Sequence, residues 1–152
     1  MTVIEKMREF IQSYPNYDII SQFHLDYTDQ IPVNGGLFPS GLVELSRTKD
    51  IHGNATVRNQ YNFALYTVFY KPPGDDTEAT QNAEWQMDFQ EWIQEQSATG
   101  KAPVFGDDPK QEVIRAQNGV LYSAEDEGTA VYMIQISVQF TKRMEVDNPW
   151  LI

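Results

Sequence analysis

With 152 residues, 41% of them hydrophobic and 12% aromatic, the chain suits one domain with a core of its own and is too apolar for an intrinsically disordered polymer. Eleven basic against 22 acidic residues give a formal charge of -11, which repels polyphosphates and argues against direct nucleic-acid binding. The absence of cysteine excludes disulfides, thiolate nucleophiles and cysteine-ligated metals, and no apolar run fits a signal peptide or a membrane span, so a soluble protein is expected.

Taken in chain order, Thr2-Val3-Ile4-Glu5 fits a capping box, and Val3, Ile4, Met7, Phe10, Ile11 and Tyr14 then fall on one helical face before Pro15. Tyr17, Ile19, Phe23, Leu25 and Tyr27 alternate with polar residues and predict a half-buried strand. From Thr28 to Gly41 the density of Pro and Gly predicts a loop without regular structure. Its apolar residues Ile31, Val33, Leu37 and Phe38 need cover, either from their own domain or from a neighbouring subunit.

Leu42 to Arg47 and Asn54 to Lys71 read as two strands joined across Thr48 to Gly53. In the second, Tyr61, Phe63, Leu65 and Phe69 share one face and Ala64, Tyr66, Val68 and Tyr70 the other, which predicts a mid-sheet strand covered on both sides. Pro72 to Asp76 breaks this strand, and Trp85, Phe89, Trp92, Ile93 and Gln96 follow helical spacing up to a terminator at Gly100. Lys101 to Lys110 is expected to be an exposed loop.

Glu112 to Ala124 is strand-like, and Asn118-Gly119 within it is either a hairpin turn or a bulge. The bulge is favoured: Glu125-Asp126-Glu127-Gly128 makes an equally good turn, one that sets Leu121 opposite Tyr132 and Tyr122 opposite Val131. From Thr129 to Lys142, Tyr132, Ile134, Ile136, Val138 and Phe140 alternate strictly with polar or neutral residues, the pattern of a long strand with one face in a core. The segment 144-152 ends in Pro149-Trp150-Leu151-Ile152 and is expected to be flexible or to dock, on its own domain or on a partner. The whole order predicts one α+β domain over 1-152, a mainly antiparallel mixed sheet with two helices packed on one face.

The residues offer little catalytic equipment. His24 and His52 are the only histidines, neither within a catalytic signature, and the acidic clusters Asp75-Asp76, Asp107-Asp108 and Glu125-Asp126-Glu127 lack calcium-loop spacing. No metal, no cofactor and no enzyme activity are expected. Arg47, Lys49 and Arg58 gather near one hairpin, where salt bridges or subunit contacts explain them better than a nucleic-acid site.

Two passages carry a resemblance. Thr48-Lys49-Asp50-Ile51-His52-Gly53-Asn54-Ala55-Thr56-Val57-Arg58 with Tyr61-Asn62-Phe63, and Gln117-Asn118-Gly119-Val120-Leu121-Tyr122 with Thr129 to Ile136, resemble the hairpins of tail-terminator or minor capsid proteins from tailed phages and prophages of Gram-positive bacteria. The resemblance implies a virion protein, assembled in the host cytoplasm, that forms a ring, with six subunits as the expectation. The ring caps the tail tube and forms part of the head-tail joint, so its partners are further copies of itself, the tail-tube protein and a head-completion protein. On that basis Ile31, Val33, Leu37, Phe38, Arg47, Lys49, Arg58, Trp150 and Leu151 are candidate subunit or partner contacts. Asp75, Asp76, Glu125, Asp126 and Glu127 are candidates for an acidic lumen that keeps DNA off the wall. Another head-tail connector subunit, or a small-molecule-binding or enzymatic domain with Tyr66, Tyr70, Trp85 and Trp92 around a pocket, is the alternative.

Overall fold

The computed structural model describes residues 2-15, 22-25, 34-70, 76-124 and 129-147. Helix α1 (Val3–Gln12) starts at the expected capping box: the Glu5 N–H donates to Thr2 Oγ1 (3.2 Å) and the Thr2 N–H to Glu5 Oε2 (3.0 Å). Two donors that a helix start leaves without partners are thereby satisfied. Strands β1 (Gln22–Leu25), β2 (Asn34–Lys49) and β3 (Ala55–Tyr70) follow, then helix α2 (Asp76–Ala98), a 3-10 turn (Pro109–Gln111), β4 (Val113–Ala124) and β5 (Thr129–Met144). The sheet order is β1-β2-β3-β5-β4, antiparallel throughout except for the parallel β1/β2 pair. This is the α+β architecture expected, with β3 and β5 in the middle.

The core face of β5 consists of Tyr132, Ile134, Ile136, Val138 and Phe140, all buried, as its period of two requires. Register sets Ile134 beside Leu65, Ile136 beside Phe63 and Val138 beside Tyr61, and the helices cover this side. Met7, Phe10, Ile11 and Tyr14 of α1 and Trp85, Phe89 and Ile93 of α2 complete the core. Tyr14 meets the rings of Trp85, Phe89 and Trp92 at centroid distances of 5.7, 5.1 and 5.1 Å, and Phe10 stacks on Trp92 at 4.9 Å. Both tryptophans thus face the interior. α2 ends where expected: Lys101 N–H bonds to Gln96 O (2.9 Å), with Gly100 at φ +77° in the left-handed conformation that this closure needs.

Several expectations need correction. The segment predicted as an irregular loop, Thr28 to Gly41, contains the first half of β2, which continues unbroken through Gly35, Gly36 and Pro39. It tolerates them because a bulge intervenes between Pro39 and Gly41, the latter at φ +94°, and because Pro39 needs no ladder partner on the outer edge. The 101-110 loop is not wholly exposed: Phe105 is buried against Tyr61 and Phe140. The expected tail at 144 begins later, since Met144 still belongs to β5 and the Val146 N–H bonds to Asn54 Oδ1 (3.0 Å). In β4, one extra residue lies between Gln117 and Val120 opposite Gln135 and Met133, so Asn118-Gly119 is the favoured bulge. Leu121 pairs with Tyr132 as expected, but a second irregularity places Ser123, not Tyr122, opposite Val131.

Candidate interaction surfaces

Beyond Leu37, no described residue pairs with the outer edge of β2, since β1 covers only Asn34 to Leu37. From there β2 and β3, with β5 paired along β3 as far as Ala55, continue as an arm that ends in the turn at Asp50 to Asn54. Asp50 shapes that turn: its Oδ1 accepts from the N–H groups of His52 and Asn54, each at 2.9 Å, and its Oδ2 meets Arg143 at 3.4 Å. Partial desolvation raises the Asp50 pKa, but the N–H groups of Asn54 and His52 and the Arg143 charge outweigh it and hold the carboxyl below its ordinary value.

The arm carries Leu42, Val43 and Leu45 with about half of their surface exposed, and Ile51 at the tip is 87% exposed. Leu45 is the extra residue of a second β2 bulge, between Glu44 and Ser46. Around these apolar groups stand Arg47, Lys49, Arg58, Lys142 and Arg143 together with Glu44, Asp50, Asp107, Glu112 and Glu145. In a chain of net charge -11 this end of the sheet is balanced, with Arg47 and Lys49 its exposed cations on β2. Arg47 pairs with Glu44 at 2.8 Å, an exposed contact worth roughly 0 to 1 kcal/mol.

The opposite edge is built otherwise. α2 contains Asp76, Glu78, Glu84, Asp88, Glu91 and Glu95 and no Lys or Arg. The exposed Glu84, Asp88, Glu91 and Glu95 repeat at helical spacing, so like charges sit three and four residues apart. Between α2 and β4 lies a groove of about 510 Å³, floored by Ala98, Val113, Ile114 and Ala116 and rimmed by Gln90, Glu91 and Gln94. Ser97 Oγ accepts from the Ile114 N–H (3.2 Å) and Gln90 Nε2 donates to Ala116 O (3.4 Å), so helix side chains cap part of the β4 edge.

The sheet face away from the helices was expected to be apolar along β3. It divides instead: Val68 and Val131 are buried and Phe38 meets Tyr66 edge to face at 5.0 Å, whereas toward the arm the face turns polar. There Gln139 Nε2 donates to Gln60 Oε1 (3.1 Å) and Gln60 Nε2 to Asn62 Oδ1 (2.7 Å). A shallow concavity of about 220 Å³ lies over these amides, with Ser40, Gln135 and Ser137 on its walls.

A clasp joins the arm to the body. Glu112, 6% exposed, accepts at Oε1 from the N–H groups of Phe105 (3.0 Å) and Gly106 (2.7 Å), while its Oε2 is buried without a hydrogen bond among the described residues. Burial raises its pKa above the ordinary 4.5, and the two N–H groups with the nearby Arg58 and Lys6 charges offset this only in part. Because the folded state binds this proton more tightly than the unfolded chain, the stabilisation is full below about pH 4.5 and is lost as pH rises through the folded-state value. Glu112→Gln keeps the acceptor and removes the charge. Its melting temperature is expected to match the parent's in acid and to exceed it increasingly toward neutral pH; a gap constant with pH would contradict the assignment.

Of the residues proposed from sequence, Arg47 and Lys49 lie exposed on the arm. Arg58 is half-buried and engaged, donating to Gln111 O (2.6 Å) and Thr141 Oγ1 (2.9 Å), so it braces the arm. Leu37 is fully buried in the core and unavailable to a partner, and Phe38 is half-buried on the open face. Ile31, Val33, Trp150, Leu151, Asp75, Glu125, Asp126 and Glu127 lie outside the described residues, and Asp76 is described only as the first residue of α2. Tyr66 sits on the open face while Trp85 and Trp92 pack into the core, so these aromatics do not surround one pocket. Among the described residues no group of three or more His, Asp or Glu side chains is placed to hold a metal ion, and no helix is long and apolar enough to cross a membrane. The surfaces missed from sequence, the acidic face of α2 and the apolar arm, did carry signals: a helix with no cation, and neighbouring apolar residues on both faces of one strand. No family model matches the chain, and a search of curated proteins finds no significant match.

Proposed function

We propose that this chain is a structural virion subunit that works by self-association, a ring-forming terminator that caps a phage tail tube and contributes to the head-tail joint. The observation that carries this reading is the arm: exposed apolar side chains with Arg47 and Lys49 at one edge of the sheet, and at the other a helix whose charged residues are all acidic. Surfaces of opposite character on opposite sides of one subunit suit a head-to-tail contact, which closes into a ring when its rotation permits. The two passages that resemble tail-terminator hairpins lie in the β2/β3 and β4/β5 hairpin strands, which is consistent with that resemblance. The partners in this reading are further copies of the chain, a tail-tube protein and a head-completion protein.

Electron microscopy of the purified protein, alone and mixed with assembled tail tubes, tests it. Rings, or density capping one end of each tube, are expected. Particles that never form rings and never bind tube ends would overturn it.

A further inference from the structure

We infer that the β2/β3 arm of one copy docks in the α2/β4 groove of the next, with Leu45 over the apolar floor and Arg47 and Lys49 against the acidic stripe of α2. This rests on the self-association reading above and specifies its contact. Three observations lead to it.

The first is charge. The arm carries the exposed cations Arg47 and Lys49, whereas Glu84, Asp88, Glu91 and Glu95 present four carboxylates in a row with no cation on their own helix. Like charges at this spacing destabilise a helix, and no basic residue in the last turn offsets the dipole. Cations arriving from outside relieve both penalties. Arg115, the one cation among the groove's lining residues, has Ser137 as its register partner and belongs to the open-face side of β4.

The second is shape. The arm from Leu42 to Lys49 is about 24 Å long, the groove strand from Val113 to Gln117 about 13 Å, and the acidic stripe from Glu84 to Glu95 about 17 Å. Leu45 to Lys49, about 13 Å, therefore fits along the groove with its apolar residue over the floor and its cations at the helix. β2 does not present a flat edge for simple strand addition, because two bulges and Pro39 interrupt its ladder. Contact through side chains is what remains.

The third is topology. In the order β1-β2-β3-β5-β4, the outer edges of β2 and β4 face away from each other, with β3 and β5 between them. A chain cannot bring its own arm to its own groove. The contact therefore joins two copies. Repeated head to tail it leaves a free arm and a free groove at every step, as a ring requires, whereas a reciprocal exchange would close as a dimer and give the double-cysteine variant no ladder beyond it.

The chain has no cysteine, so engineered thiols report only the contact they probe. Leu45→Cys places one on the arm and Gln94→Cys one on the groove rim, both at exposed positions, with Val43→Cys as a second arm site. Mixing the two single variants under mild oxidation is expected to give mixed 45-94 dimers well above either homodimer. The double variant should give a ladder of covalent oligomers. Arg47→Glu with Lys49→Glu should slow this cross-linking at least about tenfold, as should Glu91→Lys with Glu95→Lys, and mixing the two charge-reversed proteins should restore it.

Predominant 45-45 or 94-94 dimers would replace the head-to-tail contact with a symmetric one and overturn the inference. Rings seen by microscopy without any 45-94 or 43-94 link would overturn this docking but leave ring formation standing. A 45-94 ladder with no affinity for tail tubes would support the docking and remove the terminator reading. Absence of links, of rings and of density at tube ends would remove both.

Discussion

Truncation of Phe89 to alanine is expected to lower the unfolding free energy by about 3 to 5 kcal/mol and the melting temperature by on the order of 10 °C. Phe89 is fully buried at the junction of both helices, stacked on Trp85 at 5.5 Å and met edge-on by Tyr14 at 5.1 Å. Removing its ring empties a site that two other aromatics cannot refill, because Trp85 is held against Phe69 at 5.3 Å and Trp92 against Phe10. Met87, two residues earlier on the same helix, is 61% exposed, and Met87→Ala should change stability by less than about 0.5 kcal/mol. Chemical denaturation of both variants checks the pair. Similar losses at the two positions would mean that α2 does not dock on the sheet through the face that carries Trp85, Phe89 and Ile93.

That face was legible in the sequence because the helical period and the large side chains agree, and β5 was legible because its alternation has no break. The capping box of α1 and the Asn118-Gly119 bulge were readable for a similar reason, since local chemistry decides each. β2 was misread in its first half because Gly35, Gly36, Pro39 and Gly41 look like a loop, and only the pairing with β3 reveals the strand. Tertiary pairing overrode propensity there. Leu37 was assigned to a partner surface as a consequence, although its register partner Leu65 draws it into the core. Of the surfaces, Arg47, Lys49 and Arg58 were placed near one hairpin as salt-bridge or subunit contacts, but the acidic face of α2 was not noticed. The acids of α2 drew no reading from sequence, because only the sheet order sets that helix beside β4, on the far edge from the arm.

Replacing Gly106 with alanine is the sharpest test of how the arm is held. An added Cβ would lie 2.4 Å from the Thr141 carbonyl oxygen and 3.0 Å from its nitrogen, backbone atoms of a central strand that cannot rotate aside. The loop must lift instead, at an expected cost of about 2 to 4 kcal/mol from overpacking and lost hydrogen bonds. Lifting breaks the bonds from Asp107 N–H to Thr141 O (2.9 Å) and from Arg143 N–H to Asp107 Oδ2 (2.7 Å), and it loosens Phe105 from Tyr61 and Phe140. Gly100→Ala provides the contrast. Its new Cβ meets open space, so only the left-handed backbone at φ +77° is penalised, by roughly 1 kcal/mol. Hydrogen exchange separates the two causes: the Asp107 and Arg143 amides should lose protection in the first variant and keep it in the second. Arg143 also anchors Asp50 in the arm's turn, so a freed loop should leave the tip less ordered and slow arm-to-groove cross-linking, a coupling that a purely local packing defect at residue 106 would not produce.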